Sequence, residues 1–260
     1  MKKLIALVAL TLGLLAPATA HALTFNTLVW SDEFNGTSVD TSKWYQNSFC
    51  NWGPGPPTLD QGCYNGYGTP AVEGYGYLIQ NAAYGPDCGS SSCWLSSWLE
   101  SKQTVTPPLK YVARMQMAPG VGMWGGVWSA GVMEVDAAEQ LGRYSGRVYQ
   151  SVHCQNGCTG SSNDSQKRSE YVETGDDLSA GFHTFAALLY ANRVEYRVDG
   201  VTTNTIYDTE VGGAGNWHML VPTQFKLTLQ IGACGSWASC PDYTDTRTLV
   251  TDWIRVYTSP

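Results

Sequence analysis

The chain has 260 residues and a formal net charge of −7, yet Asp, Glu, Lys and Arg together make up only 14% of it. An acidic surface repels nucleic acid and strongly anionic polymers over long range, so no nucleic-acid partner is expected and neutral partners fit better. The length suits one large all-β domain.

The chain opens with Met1-Lys2-Lys3 and an apolar run over 4–15, followed by Ala18-Thr19-Ala20 and Ala20-His21-Ala22. A basic start, a short apolar stretch and small residues at a cleavage point describe a secretory signal peptide. Residues 1–22 are therefore expected to be a leader and 23–260 the working domain. The apolar run is shorter than the roughly 20 residues that span a bilayer, so no membrane insertion is expected. The expected location is extracellular or periplasmic. The chain has eight cysteines, which in an exported protein suggest disulfides. Proximity suggests the pairs Cys50–Cys63, Cys88–Cys93, Cys154–Cys158 and Cys234–Cys240. No Cys-x-x-Cys pair occurs, which disfavours zinc.

No long helical periodicity appears. Strand-like runs recur at 111–116, 147–153, 184–190, 193–198, 225–231 and 249–257, separated by loops rich in Gly, Asn and Ser. Many short strands with turn signals between them indicate a β-sandwich or barrel. There is no internal repeat and no interdomain linker. The segment 51–62 lies between two cysteines and reads as a stapled loop.

One stretch stands apart. Glu134, Asp136 and Glu139 put three carboxylates into six residues, directly after the apolar, glycine-rich run 123–133. Crowded like charges raise at least one pKa, which is costly unless the site uses it. Residues 132–135 read as strand, so Glu134 and Asp136 share a face. Glu139 stands at an odd offset from both and should point the other way. One extra residue near Ala137-Ala138, a β-bulge, restores it to the first face. On a helix, offsets of two and five share no face. Carboxylates in a row on one face suit glycoside hydrolysis, whose retaining form needs two of them about 5–5.5 Å apart. The alternative is an edge strand whose acids simply face water.

These residues resemble the E-[ILV]-D-x-x-E signature of the bulged branch of glycoside hydrolase family 16. The likeness extends along the chain. Residues 30–36 resemble the opening W-x-D-E-F-x-G, and 112–117 with 120–128 resemble the run that ends in two tryptophans. Residues 182–185, 196–200 and 250–257 resemble later family segments, so the resemblance covers about 28–257. Gly125-Gly126 replaces the usual Pro-Ala, and Met133 stands where a glycine is common.

The resemblance implies a concanavalin A-like β-jelly roll, two antiparallel sheets with a substrate cleft across a concave face. It implies Glu134 as nucleophile, Glu139 as acid/base and Asp136 as their stabilising neighbour, with no cofactor required and a polysaccharide as partner. Trp124 and Trp128, four residues apart and thus on one strand face, are implied cleft residues, or else core. His153 is implied beside the carboxylates, or is a buried core histidine. Trp237 and Asn47 are further implied sugar contacts. Glu33 and Asp252 match positions near a structural Ca2+, or are plain loop and strand carboxylates. The expected activity is that of a monomeric endo-β-1,3-glucanase. An agarase, galactanase or transglycosylase of the same family is the alternative, and a lectin-like binder is the rival from another class. An intact triad argues against a pure binder.

Overall fold

The computed structural model describes residues 23–46, 49–50, 63–64, 71–73, 75–88, 91–154, 167–211, 221–231 and 245–260. The expected leader, Asn47 and Trp237 lie outside them. In chain order the strands begin with β1 (Thr27–Asp32), β2 (Trp44–Tyr45), β3 (Phe49–Cys50), β4 (Cys63–Tyr64) and β5 (Ala71–Glu73). A long antiparallel pair follows, β6 (Tyr77–Cys88) and β7 (Ser91–Ser101). The middle of the chain supplies β8 (Leu109–Gln116), β9 (Met123–Ala130), β10 (Met133–Leu141), β11 (Arg147–Cys154) and β12 (Lys167–Glu173). The rest forms β13 (His183–Leu189), β14 (Arg193–Val198), β15 (Val201–Tyr207), a short 3-10 turn at Asp208–Val211, β16 (Gln224–Ile231) and β17 (Arg247–Thr258). All six strand-like runs read from the sequence are strands, each moved by a few residues at most.

The strands form two antiparallel sheets in a jelly roll. In the first, β17 is central, with β8, β13, β14 and β15 to one side and β6, β5 and β1 to the other. The second runs β2–β7–β16–β9–β10–β11–β12. β6 leaves the first sheet to pair with β7 of the second, so one hydrogen-bonded ladder joins the two. In the small β3–β4 ladder the register sets Cys50 opposite Cys63.

Alternation along the strands fills the space between the sheets. β8 alternates buried and half-buried residues throughout, with Leu109, Tyr111, Ala113 and Met115 fully buried. Phe225 of β16 stacks on Trp30 with ring centroids 5.9 Å apart and meets Tyr111 at 5.4 Å, linking both sheets through aromatic contact. Gly125 of β9 lies against this packing. A Cβ there would lie 2.6 Å from Cδ1 of Leu249 on the opposite sheet. The resemblance between 182–185 or 196–200 and family segments also has a structural basis. Asp199 and Gly200 take positive φ angles of 49° and 79° to turn β14 into β15. The Asp199 carboxylate accepts the Thr184 N–H at 2.7 Å and lies 2.7 Å from Nδ1 of His183.

Two buried phenols cross the sandwich. The Tyr111 hydroxyl donates to the Val135 carbonyl at 2.6 Å, and the Tyr196 hydroxyl donates to the Ser151 carbonyl at 2.7 Å. They fasten β10 and β11 from beneath. Burial raises both phenols well above their ordinary pKa, so they stay protonated donors. Tyr111→Phe removes one such bond and should lower stability by about 1 kcal/mol, read as a lower urea midpoint at unchanged slope. An unchanged midpoint would mean that the bond contributes nothing.

Candidate active site

β10 is longer by one residue than the ladders on either side of it. Asp136 pairs with Trp128 and Ala138 with Val127, so Ala137 has no partner on β9. On β11, Asp136 pairs with Ser151 and Glu139 with Tyr149, again skipping one. The bulge expected near Ala137-Ala138 is therefore present, centred on Ala137. Before it, Glu134 and Asp136 face away from the core while Val135 packs inward. After it, Glu139 returns to the face of Glu134, and Ala138 takes the buried side opposite Val127. Gly126 sits against the distortion, where a Cβ would lie 2.8 Å from the Ala138 carbonyl oxygen. The departure from Pro-Ala at Gly125-Gly126 thus leaves room for a core leucine on one side and the bulge on the other.

The neighbours of the carboxylates come from both flanking strands. His153, opposite Glu134 on β11, places Nε2 3.0 Å from Oδ2 of Asp136. Asp136 is buried and His153 nearly so. Trp124 donates its indole N–H to Glu139 at 2.9 Å. Trp128, opposite Asp136, donates its own to the Thr228 hydroxyl at 3.2 Å. Trp124 and Trp128 thus stand on the carboxylate side of β9, Trp128 buried, and His153 stands on that side of β11.

Part of the Glu139 side chain is accessible, but its carboxyl is densely surrounded. Burial, followed by the negative charge of Asp136, pushes its pKa well above the ordinary carboxyl range, and Glu134 adds to the rise. The charge of His153 and the Trp124 hydrogen bond pull the other way without reversing it. The site thus holds a carboxyl that binds its proton more tightly than an ordinary one, beside another carboxylate on the same face.

The ligand atoms of Glu134, Asp136 and His153 lie within 4.8 Å of one another, close enough to share a cation. A cation there would engage both carboxylates and the imidazole. Glu33 and Asp252 lie elsewhere, and each has a guanidinium partner. Arg255 donates to both oxygens of Glu33 at 2.8 and 2.7 Å, and its hydrogen bonding holds that carboxyl below the usual range. Arg114 donates to Asp252. A calcium ion at either would compete with an arginine.

Sequence reasoning passed over several residues on the same open face. Tyr149 and Tyr171 continue the line from Glu139 onto β11 and β12, with rings 5.9 Å apart and Arg147 over Tyr171 at 4.2 Å. On the other side stand Trp98, Glu100 and Lys226, where the Lys226 ammonium lies 3.3 Å from Glu100 and over the rings of Trp98 and Trp128. Alternation within 96–101 and 224–229 was the available signal. Only the register between the strands shows that these residues meet.

A carboxyl with a raised pKa thus stands beside a second carboxylate on one face of a jelly-roll sheet, with tryptophans and tyrosines around them. The chain belongs to the glycosyl hydrolases family 16, whose model matches residues 90–255. It is 24% identical over 268 residues to glucan endo-1,3-beta-glucosidase A1 of Niallia circulans, a match that covers 92% of this chain and 39% of that protein. The chain therefore spans about two-fifths of the length of that relative. Among solved structures, the endo-beta-1,3-glucanase from Pyrococcus furiosus matches with a TM-score of 0.74 and 26% identity, covering 90% of this chain and 94% of that one. The catalytic domain of an endo-1,3-beta-glucanase (laminarinase) from Thermotoga petrophila RKU-1 also has a TM-score of 0.74, at 24% identity, covering 92% and 99%.

The raised Glu139 carboxyl also bears on stability. The folded chain binds this proton more tightly than the unfolded one. The resulting stability is fully present below the unfolded carboxyl's pKa and is lost as pH rises through the raised value. Glu139→Gln removes that loss. Melting temperatures of the variant and the wild type should nearly coincide in acid, with the variant increasingly ahead as pH rises. A gap that stays constant or closes with pH would contradict a buried, proton-holding Glu139.

Proposed function

We propose that the protein is an endo-acting, retaining β-1,3-glucan hydrolase that works outside the cytoplasm. The observation that carries this reading is the bulge at Ala137. It sets Glu134 and a proton-holding Glu139 on one open face with Asp136 between them. The linkage is supported by the relatives, several of which are endo-1,3-glucanases. Export is supported by Lys2-Lys3, the apolar run and the small residues before His21.

The substrate lies across the strands of the second sheet. Glu134 attacks the anomeric carbon as the bond to the leaving oxygen breaks, and Glu139 gives that oxygen its proton. The products of this step are a glycosyl ester on Glu134 and a shortened glucan. Glu139, now ionised, takes a proton from water as the water oxygen attacks the anomeric carbon. The Glu134 carboxylate leaves, and two inversions restore the original stereochemistry. Asp136 has two functions in this scheme. Its charge keeps the proton on Glu139 before the first step, and with His153 it fixes the surroundings of the nucleophile. No cofactor takes part, and the protein acts as a monomer in this scheme.

Purified protein should release reducing sugar from laminarin, with the β-anomer formed first by proton NMR. Cleavage of agarose or carrageenan instead of laminarin would move the assignment to a galactan. Binding of a glycan without cleavage would move it to a lectin-like role. Glu134→Gln should abolish turnover in a chain that still folds and binds glucan. Near-normal hydrolysis by it would remove the nucleophile assignment. The basic limb of the pH profile of kcat/KM should follow Glu139, with activity falling as its proton is lost. Asp136→Asn removes a charge that raises this pKa and should shift the limb to lower pH. A limb that stays put or moves up would show that Asp136 does not hold the proton on Glu139.

A further inference from the structure

A residue inserted into a strand must place its own N–H and C=O somewhere other than the regular ladder. Ala137 has no partner on β9, and on β11 the register passes from Ser151 opposite Asp136 to Tyr149 opposite Glu139. The residue of β11 that faces the gap is Gln150. Its side chain lies on the core side of the strand with Val148 and Val152, and all three are fully buried. An amide in an apolar layer is costly unless its polar atoms are matched. Here they are matched at both ends. Gln150 Nε2 donates to the Ala137 carbonyl at 3.5 Å, a long bond, and Oε1 accepts the Thr203 hydroxyl at 3.0 Å. The Ala137 backbone also hydrogen-bonds to the Tyr111 phenol.

Thr203 is itself a surplus residue. The register between β14 and β15 passes from Tyr196 opposite Asn204 to Arg197 opposite Thr202, which leaves Thr203 without a partner on β14. A bulge in the first sheet thus supports the bulge in the second, with the Gln150 amide between them. The strand that carries Gln150 is tied down at the next residue, where the Tyr196 hydroxyl donates to the Ser151 carbonyl. Packing alone does not call for this arrangement. A leucine or methionine would fill the layer beside Val148 and Val152 with no polar group to satisfy. The amide adds a hold on the Ala137 carbonyl. The rotation of that peptide decides on which side the strand resumes, and Glu139 stands two residues further on.

We propose that Gln150, braced by Thr203, is a positioning residue for the reaction: it fixes the peptide at the bulge and so aims Glu139 at the leaving oxygen. It lies on the core side and touches no substrate, and the inference rests on the glucanase reading above.

The test compares kcat/KM on two substrates for wild type, Gln150→Met, Thr203→Val and Thr203→Ser, each below its melting temperature. Laminaritetraose has a sugar leaving group, which needs the proton of Glu139. A dinitrophenyl β-glycoside of laminaribiose has a leaving group that departs without one. Gln150→Met keeps the length of the side chain and loses the donor. It should lower kcat/KM on laminaritetraose about tenfold and stay within about twofold of wild type on the dinitrophenyl glycoside. Thr203→Val should show the same contrast at about threefold, and Thr203→Ser, which keeps the hydroxyl, should match wild type on both. A residue that only supports the fold would not distinguish the two substrates. Equal losses on both, no loss on either, or a loss that vanishes when scaled to the folded fraction would overturn the positioning role while the glucanase reading stands. If Gln150→Met does not fold, Thr203→Val against Thr203→Ser decides on the same contrast. If wild type cleaves neither substrate, the glucanase reading falls and the proposal falls with it.

Discussion

Ala137 is one residue more than the neighbouring ladders need, and the chemistry of the open face depends on that surplus. In an unbulged strand Glu139 would point into the sandwich among Met123, Val127 and Leu229. A carboxylate there would be desolvated with no partner, which no fold tolerates cheaply. The bulge turns it back to the open face and crowds it with Asp136 and Trp124. The crowding in turn sets its proton affinity. Geometry and electrostatics at this site therefore have a common cause in a single small residue. Gly126 belongs to the same device, since any side chain there would collide with the backbone that the bulge displaces.

Much of this was legible in the sequence, because alternation is a strict rule. Three carboxylates at offsets of two and five cannot share a face of a regular strand or a helix. If they act together, a bulge is required. The β-branched and aromatic runs gave six strands for the same reason. The strand read at 132–135 stopped short, because alanines and acids carry little strand signal of their own. β10 continues to Leu141 because β9 and β11 pair with it along its length.

What was not legible came from register. Nothing local to Trp98, Glu100 or Lys226 says that they meet, because β7 and β16 lie far apart in the chain and are joined only in the second sheet. The same holds for Tyr149 and Tyr171. Glu33 and Asp252 were read as candidates for calcium because the motifs that contain them do not reveal partners. Arg255 holds both oxygens of Glu33 and Arg114 one oxygen of Asp252, contacts that only the opposing strands reveal.

The rows of side chains across the second sheet also set a length scale. Each step from strand to strand is about 4.8 Å, close to the length of one pyranose unit in a chain. Rows of side chains on this face thus repeat at about the spacing of one sugar, so a chain laid across the strands would meet a new row at each unit.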